Sequence, residues 1–189
     1  ESFPPALFIK LPPMMVERDL GIYWTTLIRF ESQLLDPKLW DMAHKSGCRS
    51  LYYGLESANE RIIKVVKKDT DIKAAKINLE QAKRVGIWSH VMCFYGFPSE
   101  TPEEAEDTRQ FLIQNQDMIP SVEMYFFVLY KSAPVMFQTE EYKIKVKENP
   151  EHDLALDFYY TPDSGQTTEE AMARYEDFYR NDFDPWALR

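Results

Sequence analysis

Charged and small residues gather where apolar, strand-like segments of this 189-residue chain run out. Arg29-Phe30-Glu31 closes the first segment and Gly54-Leu55-Glu56-Ser57 the second. Tyr95-Gly96-Phe97-Pro98-Ser99-Glu100-Thr101 closes the third, and Leu129-Tyr130-Lys131-Ser132 the fourth. In parallel α/β folds, ligands are met at the C-terminal ends of strands, so these clusters are where chemistry is expected. Arg29 and Lys68 can pair with a carboxylate. Glu31 and Glu56 can accept hydrogen bonds from hydroxyls or an ammonium group. Gly54 and Gly96 let a ligand approach the backbone closely. The ligand these groups describe is zwitterionic, with sugar-like hydroxyls and a flat apolar part. Plainer roles stay open: strand-end turns for Gly54 and Gly96, a mutual ion pair for Arg29 and Glu31, and solvated charges for Lys67 and Lys68.

Other chemistries lack their residues. His44, His90 and His152 are scattered, with no partner at metal-ligand spacing. Cys48 and Cys93 are the only cysteines and form no CxxC motif; they are expected as buried free thiols rather than a disulfide. The acidic run from Glu100 to Asp107 fits a helix start favoured by the helix dipole. There is no Gly-rich phosphate loop and no nucleophile elbow.

The elements that must position the strand-end residues can be read from periodicity. Ile22–Phe30, Arg49–Leu55, Trp88–Tyr95 and Val122–Tyr130 are short and rich in aromatic or β-branched residues, and are predicted as strands. Between them lie helices with legible ends. Asp36 caps one, with Pro37 at its first position, Leu39, Met42 and Ala43 as its buried stripe and Gly47 as its stop. A short helix over Glu60–Val66 is followed by one opening at Thr70, with Ile72, Ala75, Leu79, Ala82 and Val85 facing inward and Gly86 closing it. Thr101-Pro102-Glu103-Glu104 opens the next, with a capping box and Ala105, Thr108, Phe111 and Leu112 inward. Strand and helix thus alternate with a period of roughly 30–40 residues, as parallel βαβ units require. Lys131–Pro162 reads as irregular structure or short hairpins. Thr167 to Glu170 caps a last helix with Met172, Tyr175 and Tyr179 on one side. The proline-interrupted start is predicted to hold a helix around Met14–Arg18.

A net charge of −9, spread along the chain, argues against a nucleic-acid groove. No apolar run is long enough to span a membrane and no signal peptide is present, so a cytoplasmic location is expected. Four strands make an incomplete barrel or a small open sheet, and the apolar edge strand Ile22–Phe30 calls for a neighbour. With Glu1 rather than Met at the start, the chain is expected to be a piece of a longer one.

Two segments resemble the radical S-adenosylmethionine (SAM) superfamily. Gly54-Leu55-Glu56-Ser57-Ala58-Asn59-Glu60-Arg61-Ile62-Ile63-Lys64, followed by Lys67-Lys68-Asp69-Thr70, looks like the family's fourth-strand signature. Tyr95-Gly96-Phe97-Pro98-Ser99-Glu100-Thr101-Pro102-Glu103-Glu104 looks like the fifth-strand signature, with Ser99 in place of the commoner glycine. Arg29-Phe30-Glu31, then Leu34-Leu35 and Gly47-Cys48, matches the third-strand region. The flavour is closest to the subgroup with an N-terminal cobalamin-binding domain.

The resemblance implies a partial TIM barrel, of which residues 1–130 would be the C-terminal part and residues 131–189 an extension packing on it or on a further domain. It implies a 4Fe–4S cluster on a CxxxCxxC triad, SAM bound to that cluster and cleaved to a 5′-deoxyadenosyl radical, and a parent enzyme that activates C–H bonds or transfers methyl groups, with cobalamin held by an upstream domain in the subgroup it resembles. Carried over residue by residue, Glu56 would contact the ribose or methionine portion of SAM, Lys68 its carboxylate and Arg29 another polar group. Met92 and the Tyr95–Gly96 backbone would lie near the ribose and adenine, and Ser57 is a further candidate. The triad and the second-strand Gly-Gly-Glu motif are absent from this sequence, so the chain alone is expected to be inactive. The rivals are a non-catalytic binding or scaffold module, and an ordinary α/β enzyme using Glu56 and His90 as acid and base.

Overall fold

The computed structural model describes residues 2–68, 70–147 and 156–182. Its centre is a four-stranded parallel sheet in the order β1 (Trp24–Ile28), β2 (Cys48–Glu56), β3 (Trp88–Tyr95) and β4 (Ser121–Phe126). Sequential parallel strands with right-handed crossovers place every connecting helix on the same face. That face is covered by α2 (Pro37–Lys45), α4 (Ile72–Val85) and α5 (Pro102–Gln114), joined by α7 (Thr168–Asn181). The short α3 (Glu60–Val65) follows β2. Burial alternates along the strands accordingly. Leu51, Tyr53 and Leu55 of β2, and Val91, Cys93 and Tyr95 of β3, are buried under the helices, whereas Tyr52, Gly54, Glu56, His90, Met92 and Phe94 lie on the other, uncovered face.

The helix ends are where capping chemistry predicts them. Asp36 accepts from the Lys38 N–H, Asn59 from Arg61 and Ile62, and Thr101 and Thr167 form complete capping boxes with Glu104 and Glu170. Asp71, not Thr70, caps α4, and Gly86 ends it in a left-handed conformation.

Other boundaries differ from the sequence expectation for identifiable reasons. α1 runs over Pro5–Glu17, through Pro12 and Pro13, and so begins well before Met14. Packing of Phe8 against Trp24 and Trp40 (ring centroids 6.3 and 5.4 Å apart) overrides the proline penalty. In α2 the fully buried residues are Ala43, as expected, and Trp40, whose indole N–H donates to the Leu34 carbonyl at 2.8 Å, while Met42 is only half-buried. The fourth apolar stretch is not one strand. β4 stops at Phe126, and β5 (Leu129–Tyr130) turns away to pair antiparallel with β7 (Asp157–Phe158). β6 (Ile144–Val146) pairs likewise with β8 (Tyr160–Pro162), and α6 (Pro134–Phe137) lies between β5 and β6. These pieces enclose a second apolar cluster around Phe97, Leu129, Tyr142 and Tyr160. On α7, Ala171 and Phe178 are buried with Tyr175 and Tyr179 beside them, and Met172 faces solvent.

The two sheet edges are treated differently. At β4, the Met124 N–H donates to the Tyr179 hydroxyl at 2.9 Å and Phe126 packs edge-on against Tyr175, so α7 blocks that edge. At β1, the Phe3 N–H donates to the Leu27 carbonyl at 2.7 Å, and among the described residues no strand pairs on that side. No helix among the described residues is long and apolar enough to cross a membrane.

α7 is fastened to the end of β3 by a buried junction. Gly96 has φ +79°, and a Cβ there would lie 2.3 Å from the Ala171 Cβ. The Gly96 N–H donates to the Glu100 carboxylate, the Glu100 carbonyl accepts from the Gln166 N–H at 2.8 Å, and the Glu100 side chain is fully buried. Burial pushes the Glu100 carboxyl up from 4.5 to about 7, against the opposing Gly96 N–H. A carboxyl that holds its proton more tightly in the folded state stabilises the fold most below pH 4.5, and loses that contribution as pH rises through 7.

Two predictions follow from this docking. Denaturant unfolding at pH 5 and pH 8 should show a loss of about 3 kcal/mol across the interval, and Glu100→Gln, which keeps a carbonyl oxygen for Gly96, should lose much less; parallel slopes would mean that the carboxyl is ionised throughout. Phe178→Ala should cost about 3–5 kcal/mol and speed hydrogen exchange of the Met124 amide. Unchanged exchange there would show that α7 does not guard the edge.

Candidate functional site

The uncovered face carries charged groups at the C-terminal ends of β1 and β2. Arg29 lies 3.2 Å from Glu31, and Lys68 Nζ lies 3.1 Å from Glu56 Oε1. Glu56 has φ +64° at an irregularity in the β2–β3 register, which turns its carboxylate back over the strand. A Cβ at Gly54 would lie 3.0 Å from that carboxylate, so the space expected to admit a ligand holds Glu56 itself. The loop carrying Lys68 is stitched down on both sides. The Lys68 N–H donates to Ile63, the Thr70 hydroxyl donates to the Gly54 carbonyl at 3.1 Å, and the Asp71 N–H donates to the Phe30 carbonyl at 3.1 Å. Neighbouring Lys67, at φ +58°, reaches Glu141 at 2.8 Å and lies over the Tyr142 ring, which ties the loop to the C-terminal segment.

Three of the left-handed non-glycine residues, Glu56, Lys67 and Ser99, occur in these strand-end loops. Such conformations cost of order 1 kcal/mol each and collect at functional sites. Ser99, at φ +75°, occupies the position where the family's signature more commonly has glycine. Arg61 holds that loop, donating to the Ser99 carbonyl at 2.7 Å and hydroxyl at 3.0 Å and pairing with Glu104. Arg61 therefore joins the two sequence signatures, a role its position in the chain did not reveal.

The remaining site residues fall into two groups. Met92 is on the uncovered face, in register between Gly54 of β2 and Glu123 of β4. Ser57, Tyr95 and Gly96 are engaged within the fold. The Ser57 hydroxyl is buried, 3.1 Å from the Thr108 hydroxyl and accepting from the Asn59 N–H at 3.1 Å, on the same side of the strand as Leu55. The Tyr95 side chain is buried under the helices by strand alternation, and its carbonyl accepts from the Phe127 N–H. The Gly96 N–H is taken by Glu100, its carbonyl accepts from the Tyr160 hydroxyl, and Ala171 fills the space beside it. Nor do Glu56 and His90 meet, since Glu56 pairs with Lys68 and His90 with Ser121 and Glu123.

Two adjacent, partly exposed ion pairs suit a zwitterion. An incoming ammonium can replace Lys68 at Glu56, and an incoming carboxylate can replace a glutamate at Lys68 or Arg29. Exposed pairs are worth only about 0–1 kcal/mol each, so exchanging partners costs little. The residues thus fit the amino-acid end of SAM. They do not fit an iron–sulfur cluster. Both cysteines are buried free thiols on the helix-covered side, burial pushes the Cys48 thiol up to about 12 and the Cys93 thiol higher still, and no group of three His, Cys, Asp or Glu among the described residues could hold a metal.

Residues 16–112 match the family model described as the radical SAM superfamily, over half of the chain. The chain is 26% identical over 178 residues to the anaerobic magnesium-protoporphyrin IX monomethyl ester cyclase of Rubrivivax gelatinosus, an alignment covering 92% of this chain and 31% of the cyclase. Its fold superposes on the coproporphyrinogen III oxidase HemN of Escherichia coli, a radical SAM enzyme, with TM-score 0.61 and 14% identity, over 95% of this chain and 38% of that one. The radical SAM methyltransferase TsrM of Kitasatospora setae, solved with cobalamin and a 4Fe–4S cluster, aligns with TM-score 0.58 and 14% identity over 89% and 34% of the two chains. The sheet, its helices and the helical extension are thus those of a radical SAM partial barrel, and the chain spans about a third of the length of these relatives.

Proposed function

The chain belongs to the radical SAM superfamily, and on that footing we propose that the uncovered face of its sheet binds SAM within an enzyme that cleaves it reductively, to activate a substrate C–H bond or to transfer a methyl group. The observation that carries this reading is the pair of exchangeable ion pairs at the ends of neighbouring strands, Arg29–Glu31 and Lys68–Glu56. In it Glu56 accepts from the ammonium or ribose hydroxyls, Lys68 and Arg29 hold the carboxylate, and Met92 supplies an apolar contact for the nucleoside. Cluster ligands would come from residues outside this sequence, on further parallel strands joining at β1, whose outer side has no strand among the described residues. A cobalamin, as the Kitasatospora methyltransferase carries, would enter through a further domain.

Calorimetric titration with SAM tests the binding half directly. Glu56→Gln and Lys68→Met should each weaken SAM binding by roughly tenfold or more, the worth of one charge-assisted hydrogen bond. Ser57→Ala should leave SAM affinity within about twofold while lowering the melting temperature, since its hydroxyl serves the core. Equal affinity for SAM in the wild type and both charge variants would remove the site. For the catalytic half, a longer polypeptide containing this sequence and a CxxxCxxC triad should release 5′-deoxyadenosine from SAM after anaerobic cluster reconstitution. No release with the cluster intact would favour a binding module.

A further inference from the structure

The same face holds a second polar group that the SAM reading does not use. At the start of β4, the Ser121 hydroxyl lies 2.7 Å from His90 Nδ1 of β3, and His90 Nε2 lies 3.3 Å from Glu123 Oε2. The Tyr125 hydroxyl donates to Glu123 Oε1. With a neutral imidazole, one assignment satisfies every atom: Ser121 O–H to Nδ1, Nε2–H to Glu123, and Tyr125 O–H to the same carboxylate. The strand register makes this possible, because His90 is opposite Ser121 and Met92 is opposite Glu123, so His90 and Glu123 are diagonal neighbours on one face. His90 is largely enclosed, its side chain 16% exposed, whereas Glu123 is 43% exposed. The exposed end of the series is thus a carboxylate fixed from both sides.

Its surroundings indicate what it would meet. No lysine or arginine pairs with Glu123 among the described residues, and Arg29 and Lys68 lie at the far ends of β1 and β2 beside their own glutamates. The flanks are aromatic or apolar. The Tyr52 ring packs against His90 at 4.9 Å and remains partly exposed, Tyr125 is half exposed, Met92 is half-buried, and Phe94, opposite Tyr125, packs against Phe97 and Phe127 at the border of the second cluster. A carboxylate with a fixed orientation, no lysine or arginine partner among the described residues and flat walls favours a cationic or N–H donor carried on a flat ring.

We propose that Glu123, oriented by His90 and Tyr125, is a ligand-binding carboxylate that receives the ammonium or N–H group of a flat aromatic ligand on the uncovered face. This deepens the reading above by naming a substrate class, and it rests on that reading only for the word substrate. Glu123 is the contact group, and His90 and Tyr125 are positioning residues that keep its oxygens aimed at the ligand.

Amide chemical shifts of the chain, titrated with phenethylammonium, neutral 2-phenylethanol and anionic 3-phenylpropionate, test it. Phenethylammonium should shift the amides of residues 90, 123 and 125 saturably, and the other two probes should bind at least about tenfold more weakly. Glu123→Gln should weaken phenethylammonium binding by at least about tenfold and remove its preference over the alcohol. Tyr125→Phe, which deletes only a hydroxyl from a half-exposed ring, should weaken it severalfold and keeps the test available should Glu123→Gln fail to fold. Glu56→Gln should leave the probe-induced shifts at residues 90, 123 and 125 unchanged, whereas it weakens SAM binding, so the two sites can fail separately. Equal binding of the three probes, or no perturbation at residues 90, 123 and 125, would overturn the proposal.

Discussion

Right-handed crossovers between sequential parallel strands put α2, α4 and α5 on one side of the sheet, and almost everything else in the molecule depends on that one-sidedness. Because strand side chains alternate, each strand sends one set into the helix-covered core and the other onto the uncovered face. Tyr53, Cys93 and Tyr95 are thereby unavailable to a ligand, and Tyr52, His90, Met92 and Glu123 are presented to one. The alternation continues through the irregular register at Glu56, which stays on the uncovered face while Ser57, like Leu55, points inward, to Thr108.

A one-sided sheet has two edges and a bare face to manage. α7 manages one edge through Tyr179 and Tyr175, and it can reach β4 only because Gly96 leaves room for Ala171 and because Glu100 ties the Gln166 backbone to the end of β3. The fifth-strand signature is therefore at least partly an anchoring device in this chain. Its glycine and its first glutamate, Glu100, face α7, and its third, Glu104, completes a helix cap and holds Arg61. Lys67 ties down a second strand-end loop in the same way, since its contacts with Glu141 and Tyr142 couple the C-terminal segment to the loop that carries Lys68.

The bare face divides into two chemically distinct regions along the strand direction. Exchangeable ion pairs occupy the C-terminal ends of β1 and β2, and a hydrogen-bonded series ending in a carboxylate occupies β3 and β4. Met92 is in register between them. This arrangement suits the proposed binding of a zwitterionic cofactor and a separate ring-bearing ligand side by side, each recognised by groups the other does not need.

The sequence by itself determined the alternation of strand and helix, the caps at Asp36, Thr101 and Thr167, the burial of both cysteines and the family, because these rest on local periodicity, local hydrogen bonds and contiguous motifs. It also identified Arg29 and Glu56 as strand-end charges, since a strand's end is a local feature, and Lys68 as a cation able to pair with a carboxylate. It could not decide what those charges pair with, that Gly96 serves Ala171, that Ser57 turns inward, that α1 runs through two prolines, or that His90 finds Glu123. Each of these depends on inter-strand register, a left-handed turn or a contact between residues tens of positions apart, and such terms are set when packing energy outweighs local preference. Composition placed His90 as an isolated histidine; only the β3–β4 register put a carboxylate within hydrogen-bonding reach of it.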